Sequence, residues 1–280
     1  MWGKEVGLRK EIASLTKIMT FMVSYNLLNQ LQQNIDTLEF KVHAASASIG
    51  GTHSGLREGE TVKVKDLFYG LMLPSGNDCG LVLAAGIGGL ILSQKKSKLV
   101  PRDYESAVFL FVKEMNKCAA KMGLKNTFFT NPHGLASGNK STTSDLGKLA
   151  YHALQIPLIA EVSSTIEYKT TVMTSKGTER ELVWKNTNKL LEKGFSGLKT
   201  GTTDIAGPCL SSVLKKGKVG VIVTVLNCKT FDHRWVDSEK LANWSVNNLV
   251  DIEEKLCAMN YNDQMKRNKR RYVASLCQKL

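Results

Sequence analysis

Hydrophobic positions along the chain fall into two regimes. Through the first half they recur at helical spacing; from Glu167 the period shortens to two, and helical spacing returns near Asp232. The first helical run starts at Ser14 and continues to about Leu31, with Ile18, Phe21, Met22, Tyr25 and Leu28 at i, i+3 or i+4 positions. A turn-rich stretch with Gly50, Gly51, Gly55 and Gly59 follows, and the alternation from Glu60 to Lys65 predicts a short strand. Asp66–Leu73 predicts a helix stopped by Pro74. Gly80–Ser93 predicts another, capped by Asn77 or Asp78, and Arg102–Met122 predicts an amphipathic helix ended by Gly123. A loop over residues 126–140 leads to a helix that starts at Thr142–Asp145 and runs to about Gln155. Tyr168/Thr170/Val172, Glu181–Trp184, Leu198–Thr202, Cys209–Leu214 and Val219–Cys228 predict strands, and an antiparallel meander is the arrangement expected of them. Asp232–Leu249 predicts a closing helix through Trp235, Leu241, Trp244 and Val246.

Composition narrows the class. The 280 residues are 42% hydrophobic and 22% charged, which is ordinary for a soluble globular chain with ample core. The formal net charge of +13 raises the question of nucleic acid. However, the basic residues are scattered, apart from Lys266–Arg271, and accompany no recognisable nucleic-acid motif, so none is expected as a partner. A basic field around a site for a carboxylate-bearing substrate, or attraction to an anionic polymer, accounts for the charge equally well. The six cysteines, at positions 79, 118, 209, 228, 257 and 277, form no C-x-x-C pair and no metal-ligand spacing with the five histidines. Buried thiols are expected, with neither metal nor cofactor, and the redox compartment stays open. The longest apolar run, Gly80–Leu92, is 13 residues, which predicts a buried helix rather than a transmembrane segment. Met1–Ile12 is short and polar and does not read as an export signal.

The chemistry is concentrated in three short clusters. S-x-x-K occurs five times, at Ser14/Lys17, Ser93/Lys96, Ser137/Lys140, Ser196/Lys199 and Ser212/Lys215; only the first opens an apolar helical run. A plain helix cap followed by a solvated lysine is the bland reading of Ser14. The functional one is that residues i and i+3 share a helix face, so the Lys17 amine can reach the Ser14 hydroxyl. Serine needs a base to become a nucleophile, and a lysine serves only when its amine is neutral, through desolvation or a nearby positive charge. Ser75-Gly76-Asn77 supplies a second hydroxyl and an amide, and Lys199-Thr200-Gly201 supplies a second amine and a bare strand edge. Alone, the former is a turn and the latter a strand end. If the three converge, Lys199 provides the charge beside Lys17, Ser75 relays a proton to the leaving group and Asn77 donates to a substrate carbonyl. The N–H groups of Ser14 and Thr202 then form an oxyanion pocket. His133 is better suited to holding its loop than to acting as a base, since no paired acid is identifiable.

With these motifs in this order, the chain resembles the serine-type D-alanyl-D-alanine carboxypeptidases, the low-molecular-mass penicillin-binding proteins of peptidase family S11. Ala13–Thr20, Leu73–Asp78, Met122–Thr127, Asn131–Leu135 and Gly197–Thr203 look like signatures of that family, and Ala206-Gly207 and Asp237–Trp244 extend the similarity over roughly residues 9 to 248. The resemblance implies an α+β fold of the β-lactamase/transpeptidase kind, an antiparallel sheet flanked by helices with an inserted helical lobe. It also implies a catalytic domain over 1–248, with the lobe at about 32–160 and a basic tail over 249–280. By resemblance, Ser14 is acylated by the D-Ala-D-Ala end of a peptidoglycan stem peptide or by a β-lactam, Lys17 is the base and Ser75 assists. Asn77, Lys199, Thr200, Gly201 and Thr202 bind the substrate, and Arg234 helps hold its terminal carboxylate. Family members have two strands before the S-x-x-K helix, whereas thirteen residues precede Ser14 here, so the sheet is expected to lack its first strands, or the chain to be truncated. The family also implies the cell envelope. A β-lactamase-like hydrolase and a catalytically silent homologue that binds peptidoglycan or penicillin remain as alternatives. The oligomeric state is open.

Overall fold

The computed structural model describes residues 3–94, 103–217 and 219–249. At its centre is α1 (Thr16–Gln30), entered through a 3-10 turn at Ala13–Leu15. Ser14 therefore sits inside the turn and caps nothing; the cap position falls on Leu15, which makes no side-chain bond. Every residue from Thr16 to Ser24 is buried, the polar Thr16, Lys17, Thr20 and Ser24 included, so this part of α1 is enclosed on all faces.

The helices that follow pack on it or on one another. These are the one-turn α2 (Ala44–Ala47), α3 (Val64–Met72), α4 (Asn77–Gln94), α5 (Tyr104–Lys121), α6 (Thr143–Ala153) and α7 (Pro157–Ser164). Local chemistry explains their ends. The Asp103 carboxylate accepts the Ser106 N–H at 2.8 Å and starts α5, while Gly123 turns left-handed just past its end. The Thr142 hydroxyl accepts the Asp145 N–H at 3.1 Å and starts α6. α4 starts earlier than its apolar pattern predicts, so Asn77 and Asp78 lie in its first turn and not at its cap. The reason is tertiary: the Asn77 N–H finds Thr52 O at 2.9 Å and needs no helix cap. At 18 residues, α4 is by length and composition the one described helix apolar enough to cross a membrane, longer than the 13-residue run suggested. Most of it is buried against α1, α3 and α5.

The expected single meander is two separate sheets. β2 (Glu39–Lys41), β3 (Thr61–Lys63), β5 (Glu167–Met173) and β6 (Glu179–Lys185) form one, antiparallel in that order. β7 (Phe195–Gly201), β8 (Cys209–Lys216) and β9 (Val219–Val225) form the other. A short pair upstream of Ser14, β1 (Lys10–Glu11) with β4 (Lys140–Ser141), stands apart from both. β5 and β6 bury Val172 and Trp184 on one face, which docks them on the helical core rather than beside β7. The β7–β9 sheet is covered on both sides. Cys209 and Val213 face the α1 core, while Leu210, Val221 and Val223 pack with Trp235, Ala242 and Val246 of α8 (residues 233–249). β7 is thereby held as a rigid edge against the turn that carries Ser14.

Candidate active site

The Ala13 backbone before Ser14 is left-handed (φ 46°), an uncommon state for a residue with a Cβ. One turn on, the Lys17 side chain is fully buried. Its Nζ lies 2.9 Å from Ser14 Oγ, 2.7 Å from Asn77 Oδ1 and 2.7 Å from His133 O. An ammonium would donate to all three. A neutral amine donates two hydrogens, to Asn77 and the His133 carbonyl, and then turns its lone pair to the Ser14 hydroxyl. Burial first, and the Lys199 charge second, hold the Lys17 amine well below the usual lysine range, while Asp78 and Cys79 oppose the shift. Lys199 is itself pushed down to about 7 by burial and by Arg234.

The third acceptor comes from the loop over 131–140. Asn131 Oδ1 accepts the Gly134 N–H at 2.7 Å and the His133 N–H at 3.3 Å, curling the loop so that two successive carbonyls face α1. Pro132 O accepts from Thr20 Oγ1 at 2.5 Å, and His133 O accepts from Lys17. Gly134 is left-handed (φ 81°), and a side chain there would run into Ala13 O. The His133 ring, pushed down to about 3 by burial and by Lys17, stays neutral at physiological pH. Its Nδ1 accepts the Leu135 N–H at 3.0 Å, the loop-holding role expected of it.

Ser75 is also left-handed (φ 65°), and its carbonyl accepts from Thr52 Oγ1 at 2.6 Å. Its buried hydroxyl takes part in none of the bonds of either lysine, so the expected bridge between the two amines is not made directly. Lys199 Nζ instead turns back on Thr200, 3.1 Å from its carbonyl and 3.4 Å from its hydroxyl. Asn77 is more committed than expected: Oδ1 takes the Lys17 bond and Nδ2 donates to Gly50 O at 2.9 Å. The carbonyls of Gly50 and His133 were not legible in the sequence, because a backbone acceptor leaves no residue signature.

At the end of β7, Gly201 allows the strand edge to approach Ser14. A Cβ there would lie 3.1 Å from Ile12 O and 3.2 Å from Ser14 N. Thr202 Oγ1 donates to Gly201 O at 2.6 Å and accepts from Arg234 Nη1 at 2.9 Å. The Arg234 guanidinium lies 4.4 Å from the centre of the Trp235 ring and 5.6 Å from that of Phe231. All nine sequence-derived site residues thus gather where α1, the start of α4 and β7 meet. A separate cleft on the four-stranded sheet, lined by Lys65, Tyr168 and Glu181 among others, holds none of them. Among the described residues, no group of three or more His, Cys, Asp or Glu is placed to hold a metal ion.

Known proteins resemble the chain over most of its length. The chain is 31% identical over 249 residues to the D-alanyl-D-alanine carboxypeptidase DacF of Bacillus subtilis, covering 88% of this chain and 58% of that one. It is 33% identical over 253 residues to a D-alanyl-D-alanine carboxypeptidase of a Streptomyces species, covering 87% and 81%. The crystal structure of the Streptomyces K15 DD-transpeptidase superposes with a TM-score of 0.78 at 32% identity, over 88% of this chain and 91% of that one. The Francisella tularensis carboxypeptidase DacD does so with a TM-score of 0.72 at 26% identity. These neighbours share the α+β fold expected from the sequence. The family profile described as D-alanyl-D-alanine carboxypeptidase matches residues 2–230, and the chain belongs to that family, peptidase S11.

Proposed function

We propose that the chain is a serine D,D-carboxypeptidase that removes the terminal D-alanine from peptidoglycan stem peptides. The observation that carries this reading is the buried Lys17 amine, 2.9 Å from Ser14 Oγ, with two further acceptors orienting it. In the first step the neutral amine takes the Ser14 proton while Oγ attacks the carbonyl of the penultimate D-alanine. The N–H groups of Ser14 and Thr202 receive the developing oxyanion. The C–N bond then breaks, and the leaving amine collects the proton from Lys17, directly or through Ser75. Water attacks the resulting ester, with Lys17 again as base, and frees Ser14. Lys199, Thr200, Gly201 and Asn77 line the extended substrate, and Arg234 and Lys199 face its terminal carboxylate. A β-lactam, whose amide lies in the same place, acylates the same oxygen. Residues 1–248 form the proposed catalytic unit; of the basic tail over 249–280, residues 250–280 lie outside the described residues.

A second reading concerns the acceptor. Similarity to a structure named as a DD-transpeptidase suggests that an amine could resolve the ester in place of water, giving a cross-link. Incubation with a fluorescent penicillin and mass mapping of the adduct tests the common step. A stable adduct on Ser14, absent in Ser14→Ala, is expected. Rapid antibiotic hydrolysis would indicate a β-lactamase, and no adduct from folded protein would indicate a silent homologue. Free D-alanine from a stem pentapeptide, rather than a cross-linked dimer, separates the two acceptors.

A further inference from the structure

Asn139 lies buried in the 131–140 loop, and its side chain reaches the turn that carries Ser14. Its Oδ1 accepts the N–H groups of Thr130 at 2.7 Å and Asn131 at 3.2 Å. A backbone N–H can only donate, so the amide has one orientation, with Nδ2 as its donor end. One Nδ2 hydrogen goes to Asn131 O at 3.0 Å, with Asn131 Oδ1 at 3.3 Å beside it. The other goes to Thr16 Oγ1 at 2.9 Å. The Thr16 hydroxyl has a single hydrogen and must accept from Asn139, so that hydrogen points to Ala13 O, 2.8 Å away. Two backbone N–H groups thus set the direction of every bond in this relay. The Asn139 carbonyl in turn accepts the Ile12 N–H at 3.2 Å, so the loop clasps the turn on both sides of Ala13.

Ala13 O belongs to the peptide plane whose other end is the Ser14 N–H, and a planar trans peptide aims the two in opposite directions. Holding the oxygen therefore holds the direction of the N–H. The Thr16 N–H also reaches Ala13 O, closing the 3-10 turn, and the Thr16 hydroxyl takes the second lone pair. The plane needs that hold, because Ala13 is left-handed (φ 46°) and such a backbone persists only where its surroundings over-determine it. Among the described residues, no backbone carbonyl beyond its own turn accepts the Ser14 N–H, which leaves it for a substrate oxygen.

We infer that Thr16 and Asn139 are positioning residues of the oxyanion pocket: their relay fixes the Ala13–Ser14 peptide plane and so aims the Ser14 N–H. The inference rests on Ser14 being acylated with its own N–H receiving the oxyanion. A donor that is aimed beforehand stabilises the charge that develops in the transition state, so the relay acts on the rate of acylation and not on prior binding.

Stopped-flow reaction with a fluorescent penicillin separates the half-saturating concentration from the limiting acylation rate. In Thr16→Val, which keeps the shape and removes the hydroxyl, the limiting rate is expected to fall about five- to tenfold with half-saturation unchanged. Thr16→Ser, which restores the hydroxyl, is expected to stay within about twofold of wild type. A peptide boronic acid, whose boron turns tetrahedral on Ser14 Oγ and sets an oxygen in the same pocket, should bind Thr16→Val more weakly by the same factor. The onset of acylation with pH, which Lys17 sets, should not move. An undiminished rate in Thr16→Val, a loss that Thr16→Ser does not restore, an unweakened boronic acid or a shifted onset would each overturn the inference. Wild-type protein that forms no Ser14 adduct would overturn the underlying reading as well, whereas equal acylation of wild type and Thr16→Val sinks the relay alone.

Discussion

A lysine with no exposed surface is costly to bury charged, and that cost holds the Lys17 amine below the usual lysine range, as the proposed role of base requires. Its hydrogens have fixed acceptors, so the lone pair has one direction left, toward Ser14. Lys17→Ala is therefore expected to slow penicillin acylation by about a hundredfold or more while the far-ultraviolet circular dichroism stays unchanged. Undiminished labelling would mean that another group is the base. Lys199→Ala removes a positive neighbour, so the Lys17 amine should hold its proton longer and the acylation onset should move to higher pH. An onset that stayed put would break the proposed coupling of the two amines. The residues proposed to carry this chemistry were picked out by their order along the chain. Their hydrogen bonds were not: Ser14 passes for a helix cap and Asn77 for another, because in sequence a side chain aimed at a distant amine looks like one aimed at its own backbone.

Among the elements, α5 and α6 were readable because cap, apolar period and stop all agree. α7 went unread, since an eight-residue helix offers too few periods and its start lacks a side-chain cap. The division of the strands into two sheets was invisible for another reason. β5 pairs with β3, over a hundred residues earlier, and the pairing is set by which face docks on the core. The 131–140 loop is the element on which the site leans most, because it turns the His133 carbonyl toward Lys17 and requires a glycine against Ala13. Gly134→Ala is expected to cost about 2–3 kcal/mol in urea unfolding, from the left-handed backbone and the collision together. The same variant should acylate more slowly, and a neutral outcome on both measures would show that the loop can shift without consequence.

For the molecule as a whole, the two buried amines tie stability to pH. Lys199 loses its proton at about 7 in the folded chain, against an ordinary lysine value of 10.5. Across that window the unfolded chain binds more protons, so stability should rise with pH, by at most about 1.4 kcal/mol per unit for each such group. Urea unfolding at about pH 7 and about pH 9 measures the slope, and Lys199→Met should flatten it. A slope unchanged in that variant would place the titrating group elsewhere. The sheet's second covering layer has its own consequence. Trp235 plugs the core between β7–β9 and α8, and the same ring is the platform on which Arg234 rests. A cavity cut behind the sheet in Trp235→Leu would thus be felt at Arg234, as a raised KM for stem peptide with kcat nearly intact. Core packing and the proposed grip on the substrate's carboxylate share one indole, so selection on either would constrain both.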